Sequence, residues 1–227
     1  LIALHKTDKF WDKKEADKIF KKVNNNNGKI SDAKKQEFEQ KAPFPFDLTT
    51  LQTEAYRCFG INPKVTLSIA QDLYTSGQIS YPRTSSQQLP PSIGYGKILK
   101  LLQKKDDYRT LCTELLKKPN LKPNNGKKTD PAHPAIYPTG VSGRMDERNQ
   151  RIYDLIVRRF LATFSESAIR ETMTVLIEIK EEIFTTSGTR TKDPGWHRYY
   201  GVYAKMKEEE LPAVEIDEVF KQEKLER

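Results

Sequence analysis

The sequence predicts an α+β protein, with helices through the middle of the chain and strands towards its end. Three observations carry that expectation. Apolar residues recur at helical spacing between Thr49 and Phe164, as at Val65, Ile69, Ala70 and Leu73. After Ser165 the pattern turns to alternation, with Val175, Ile177 and Ile179 on one side of a run from Thr172 to Ile179. Two prolines in three residues, Pro43 and Pro45, mark a boundary ahead of the helical part.

Taken in order, Leu1 to Leu4 is a short strand-like start. Asp12 then caps a helix whose Ala16, Ile19, Phe20 and Val23 share a face, and the asparagine run before Gly28 ends it. A charged stretch, Lys29 to Lys41, runs on to Ala42-Pro43-Phe44-Pro45-Phe46. Thr49 and Gln52 have capping-box spacing at the head of a helix that Gly60 closes. Asn62 and Pro63 open the next helix as N-cap and first helical residue. Two helices joined by a three-residue turn fit a helix-turn-helix or winged-helix module and fit a plain αα-hairpin equally well. Helices are also expected over Pro91–Lys105, Asp106–Lys118 and Asp146–Phe164, with Arg148, Arg151, Arg158 and Arg159 around the last. Glu181–Thr186 and Trp196–Tyr203 read as strands, turning at Ser187-Gly188.

Charge and composition narrow the function classes. Lys plus Arg outnumber Asp plus Glu by 39 to 31, a net charge of +8, and the isoelectric point is near 9.3. That balance favours a polyanion, nucleic acid first. The positive charge concentrates over Tyr95–Lys128, where ten Lys/Arg face three Asp/Glu, while the Lys205–Arg227 tail is acidic, eight against five. Contact with a DNA backbone and an ordinary solvated face are both open readings of the basic stretch. No apolar run approaches a membrane span. Cys58 and Cys112 form no C-x-x-C pair, so reduced cytoplasmic thiols are expected, not a zinc ribbon or disulfide scaffold. No D-x-D pair or Gly-rich phosphate loop occurs. The chain opens at Leu1 without methionine or signal peptide, and a piece of a longer protein is expected.

One stretch invites a chemical reading: Gly77-Gln78-Ile79-Ser80-Tyr81-Pro82-Arg83-Thr84-Ser85-Ser86. Pro82 holds Tyr81 out of the helical region. On a straight extended segment Arg83 shares its face, so a guanidinium fork is expected beside the phenol. That pairing suits a nucleophile with a phosphate clamp, and it also suits a half-buried strand tyrosine beside a surface arginine. Farther on, three prolines surround His133 in Asp130-Pro131-Ala132-His133-Pro134-Ala135-Ile136-Tyr137-Pro138-Thr139, a stiff loop able to pre-set one imidazole.

Together these phrases resemble a known family, the type IA DNA topoisomerases. Pro43 to Gln52 resembles the entry to that family's tyrosine domain. Ala70-Gln71-Asp72-Leu73-Tyr74 followed by Gly77 to Ser85 is similar to its active-site segment, and Asp130 to Thr139 to its D-x-A-H-x-A-I-x-P-T segment. Gly195-Trp196 also resembles its later sequence. Order and spacing agree over nearly the whole chain.

The resemblance implies a helical, winged-helix/CAP-like tyrosine domain at 44–165, inserted into a discontinuous, mainly β arch domain at 1–43 and 166–227. It implies that Tyr81 attacks one DNA strand and becomes joined to its 5′ end as a phosphotyrosine, with Arg83 and His133 on the scissile phosphate. Thr84, Ser85, Lys97 and Lys100 are the implied DNA contacts. The implied cofactor is Mg²⁺, held by a Toprim domain outside this chain, with no ATP and no metal ligand within the chain. The implied partners are single-stranded DNA at the cleavage site and the Toprim and ring-closing parts of the same polypeptide, with no membrane. On this reading the chain alone is inactive. Pro134 and Tyr137 stand where many bacterial members have glutamate and arginine, and Ser85 often corresponds to an aspartate. The His-Pro-Ala-Ile run resembles archaeal or type III branches, and topoisomerase I, topoisomerase III and reverse gyrase stay open. The alternative is a non-catalytic, basic, winged-helix-like nucleic-acid-binding module.

Overall fold

Helices and sheet are both present, and they separate into two units. A computed structural model describes residues 1–141, 143–204 and 206–226. One unit comprises Leu1–Glu39, Ile169–Asp193 and Met206–Arg227, and the other Gln40–Ala168 and Pro194–Lys205. The acidic tail's first and last residues, Lys205 and Arg227, lie outside the described residues.

The first unit is a five-stranded sheet with one helix. In chain order it holds β1 (Leu4–His5), α1 (Lys13–Val23), β2 (Gly28–Gln40), β3 (Ala168–Ile179), β4 (Glu182–Asp193) and β5 (Val219–Phe220). The strands lie in the order β1-β4-β3-β2-β5, with the β1–β4, β3–β4 and β2–β5 pairs antiparallel. Asp12 caps α1 as expected, its carboxylate accepting from the Lys14 N–H. Val23, Ile30, Val175, Ile177 and Ile179 form the unit's apolar core, with Ile19, Phe184 and Phe220 against it.

One strand in this unit was not anticipated, and one expectation is corrected. The charged run after Gly28 is a strand: only Gly28 and Ile30 are buried along β2, so no apolar alternation announces it. The β3–β4 hairpin turns at Lys180-Glu181, not at Ser187-Gly188. Ile179 pairs with Glu182, and the two turn residues have φ of 52° and 64°. Both central φ values are positive, as a type I′ turn requires, but neither residue is the usual Asn or Gly. Gly188 lies inside β4, where a Cβ would come 2.2 Å from the Glu209 carbonyl oxygen.

The second unit is helical. It contains α2 (Leu48–Phe59), α3 (Pro63–Thr75), a 3₁₀ turn at Pro91–Ile93, α4 (Tyr95–Leu102), α5 (Asp106–Leu116), α6 (Glu147–Ala162) and α7 (His197–Tyr200), with a second 3₁₀ turn at Gly201–Tyr203. Asn62 caps α3 through its side chain with Pro63 first in the helix, as expected. The capping box of α2 sits two residues earlier than its expected place: Asp47 accepts from the Thr50 N–H, and Thr50 Oγ1 accepts from the Asp47 N–H. The single helix expected over Pro91–Lys105 is interrupted at Gly94, whose φ is 75°.

Helix α6 is the unit's axis, in contact with α2, α3, α5 and α7. Ile152, Tyr153, Leu155, Ile156, Val157, Phe160 and Leu161 are buried along it, each large side chain contributing about 1.5–3 kcal/mol of transfer free energy. The strand expected at Trp196–Tyr203 is helix and 3₁₀ turn. Trp196, Tyr199 and Tyr200 are buried at helical spacing, and that packing overrides the strand preference of aromatic residues. Polar groups of these helices engage one another: Tyr200 and Arg57 both donate to Glu54, while Tyr108, Arg158 and Tyr203 donate to Asp154. Neither Cys58 nor Cys112 is in a disulfide. Among the described residues, no helix is long and apolar enough to cross a membrane.

Candidate active site

The end of α3 aims the tyrosine segment. Gly77 has φ of 73°, its N–H donates to the Tyr74 carbonyl at 2.8 Å, and the Gln78 N–H donates to the Leu73 carbonyl at 2.8 Å. Those two bonds are a Schellman motif, which turns the chain sharply out of the helix. A Cβ at Gly77 would meet nothing within 4 Å, so the demand for glycine is purely conformational. Gly77→Ala should therefore cost about 1–2 kcal/mol, read as a lower denaturation midpoint with an unchanged denaturant slope.

Beyond the turn, the tyrosine and histidine segments are stitched together. Ile79 and Pro138 form an antiparallel bridge. The Ser80 N–H donates to the Tyr137 carbonyl at 2.9 Å, the Tyr137 N–H to Ser80 Oγ at 3.0 Å, and the Thr139 N–H to the Gln78 carbonyl at 3.0 Å. Farther along, the Gln87 N–H donates to the Lys128 carbonyl and the Ala135 N–H to the Gln88 carbonyl. Asp47, only 2% exposed, ties in the head of α2, accepting from Gln87 Nε2 at 3.2 Å and Lys128 Nζ at 3.1 Å.

This lacing brings Tyr81 and His133 together. Their ring centroids are 4.6 Å apart with planes tilted by 47°, and the Tyr74 ring meets Tyr81 edge-on at 5.3 Å and 73°. The nucleophile candidate is thus held between two aromatic side chains. Its hydroxyl has no hydrogen-bond partner among the described residues, so ring packing orients it.

The chain bends at Pro82, so the shared face of residues two apart on a straight strand does not apply. Arg83 is exposed and makes no hydrogen bond or ion pair among the described residues, with Tyr81 or any other group. A guanidinium left free in this way can close on an anion without first breaking an internal pair.

The remaining expected contacts divide. Thr84 is 4% exposed, and its hydroxyl donates to the His133 carbonyl at 3.3 Å while accepting from the Ser86 N–H at 3.0 Å. It braces the histidine loop and offers no contact surface. Ser85 is exposed, its Oγ within 3.3 Å of Asp130 Oδ2 and of the Thr129 carbonyl. Lys97 and Lys100 project from the outer side of α4, opposite buried Ile98, Leu99 and Leu102. With Lys104, Lys117, Lys122 and Lys127 they have no ion pair among the described residues, whereas Arg109, Lys118 and Lys128 do. The arginines on α6 are mostly engaged internally: Arg151 with Glu147, Arg158 with Asp154, Arg159 with Glu54.

Asp130 and Tyr74 also belong to the candidate site, though sequence reasoning assigned neither a role. The Asp130 carboxylate accepts from the N–H groups of Ala132 and His133 at 3.0 Å each, the local pattern by which an aspartate closes its own turn. The Asp-x-x-His spacing is the signal that could have found it. Those N–H groups, Ala132 first and then His133, hold the carboxyl below its ordinary value of 3.8, with Ser85 adding to them. A depressed carboxyl stabilises the fold fully above pH 3.8, and its contribution is lost as pH falls through the lower folded value. Amide-exchange protection at Ala132 and His133 should therefore persist at neutral pH and fall only in strong acid. Asp130→Ala should remove it at pH 7.

No group of three or more His, Cys, Asp or Glu is clustered among the described residues. Their donor set does not fit a Mg²⁺ site.

The chain matches the model of the DNA topoisomerase family over residues 2–227. It is 47% identical to DNA topoisomerase 1 of Methanothermobacter thermautotrophicus over 94% of its length, and 46% identical to DNA topoisomerase 1 of Pyrococcus horikoshii over 96%. It spans 30% and 32% of those two proteins. Its fold resembles topoisomerase I from Thermotoga maritima with a TM-score of 0.69 at 23% identity, covering 96% of this chain and 36% of that one. The chain belongs to the DNA topoisomerase family, in its type IA branch.

Proposed function

We propose that this chain supplies the nucleophile and phosphate-binding half of an ATP-independent, single-strand-cleaving topoisomerase site. Tyr81 Oη attacks a DNA phosphorus. The new O–P bond joins the protein to the 5′ end, and the P–O3′ bond breaks with its electron pair on the 3′ oxygen. The phenol loses a proton and the 3′ oxygen gains one. The reverse step reseals the strand after passage, and relaxation of negatively supercoiled DNA is the net change. The phosphodiester's energy is kept in the tyrosine ester, so ATP has no role in the cycle.

Arg83, free and exposed, clamps the phosphate oxygens as charge builds on them. His133, packed on the nucleophile's ring, donates to the same phosphate. Thr84 braces the His133 loop, Ser85 lies at its edge, and Lys97 and Lys100 follow the incoming single strand. Mg²⁺ and the acid–base groups belong to the rest of the polypeptide, in Toprim and ring-closing parts, and the chain alone is inactive. The helical unit is a winged-helix-like tyrosine domain set into an arch at 1–43 and 166–227. The setting is the cytoplasm.

The observation that carries this reading is the contact of Tyr81 with His133 across two hydrogen-bonded segments. The test uses the full-length protein with Mg²⁺ and a radiolabelled single strand, denatured during turnover. Label should transfer to protein, and peptide mapping should find it on Tyr81. An adduct mapped to another residue overturns the reading. Binding without any adduct favours the non-catalytic module.

A further inference from the structure

We propose that Tyr74 is a stacking platform for the nucleobase next to the scissile phosphate, an inference that rests on Tyr81 being the nucleophile. Tyr74 is 40% exposed, although it sits on the last turn of α3 between buried Leu73 and the tyrosine segment. Its carbonyl is held by the Gly77 N–H, which pins the helix end that carries the ring. The ring meets Tyr81 edge-on, with centroids 5.3 Å apart, and part of the side chain stays open to solvent. No hydrogen bond to its hydroxyl occurs among the described residues, so no polar partner accounts for its position.

Exposed Phe44, Tyr56, Val141 and Val202 lie in the same unit, but Tyr74 is the exposed aromatic in ring contact with Tyr81. Successive nucleotides of a stacked strand advance about 3.4 Å. The Tyr74 ring centroid is 5.3 Å from that of Tyr81, a separation within two such steps, so a base adjoining a phosphate on Tyr81 is in reach of the Tyr74 ring. A π-face accepts any base, so the platform supplies position and affinity and no base identity. Stacking there fixes the sugar–phosphate backbone on one side of the scissile bond, while Arg83 and His133 hold the phosphate itself.

The test is a cycle on the full-length protein, using single-stranded oligonucleotides with one abasic nucleotide at each position flanking the cleavage site. In the wild type an abasic nucleotide at one position should lower adduct yield by about 5- to 150-fold. Tyr74→Ala should show a loss of the same order on intact DNA and no further loss at that position. Tyr74→Phe, which keeps the ring, should retain the abasic effect. If Tyr74→Ala lowers cleavage yet every abasic effect stays at its wild-type size, Tyr74 merely props Tyr81 and the proposal is wrong. Wild-type cleavage by Tyr74→Ala overturns it as well. The same cycle, read as single-strand affinity in a Tyr81→Phe background, reports on stacking even where no adduct forms. Failure of the platform and failure of the nucleophile are thereby separated.

Discussion

Tyr81→Phe is expected to abolish the covalent protein–DNA adduct in the full-length enzyme while leaving the fold and single-strand binding in place. The two halves of that expectation have separate physical grounds. Only the hydroxyl oxygen forms the phosphotyrosine bond, so its removal eliminates the step and no neighbouring group substitutes for it. The ring, by contrast, packs between Tyr74 and His133, and phenylalanine keeps both contacts. Because the hydroxyl has no hydrogen-bond partner among the described residues, its loss strands no buried donor or acceptor. The stability change should stay within about 0.5 kcal/mol. Adduct formation by Tyr81→Phe at the wild-type level would remove Tyr81 from the chemistry. A large drop in stability would mean that the hydroxyl has a structural partner.

Arg83→Lys should lower the cleavage rate by roughly 100-fold or more, the typical effect of losing one preorganised donor, with single-strand affinity nearly unchanged. Lysine keeps the charge but replaces a planar fork with a point charge on a flexible stem. Long-range attraction for the strand depends on charge and is retained, whereas two-point contact with transition-state oxygens is lost. Since Arg83 is exposed and unpaired among the described residues, the substitution disturbs no internal ion pair, and thermal stability serves as the control. Equal losses in rate and affinity would assign Arg83 to DNA anchoring alone.

The parts of the fold that were legible in the sequence are those governed by local chemistry. Asn62-Pro63 starts α3 and Asp12 starts α1 because capping depends on a few adjacent residues. Features decided by distant partners were hidden. Strand β2 is a member of the sheet with two buried residues, so its place comes from backbone pairing that side-chain patterns do not record. The β3–β4 turn uses Lys180 and Glu181 in a conformation usually given to Asn and Gly, held by the long ladder on either side. Trp196–Tyr203 has strand-like composition but takes its shape from burial against the α6 side of the helical unit.

At the site, the identities of Tyr81 and His133 were readable, but their contact was not. Residues 52 positions apart meet through hydrogen bonds between two loops, and no local rule connects them. Arg83 follows Tyr81 across a bend at Pro82 and makes no hydrogen bond to it among the described residues.

The stitching of the tyrosine and histidine segments also has a mechanical meaning. A DNA end attached to Tyr81 would pull on a segment whose load divides at once. One part runs through Gly77 into α3, and the other crosses the Ser80–Tyr137 and Gln78–Thr139 bonds into the histidine loop. Bonds arranged side by side share a transverse pull, so the strand carrying the tyrosine resists peeling better than a single loop would. Under the proposed function, holding a severed DNA end under torsion until it is resealed calls for that kind of anchorage.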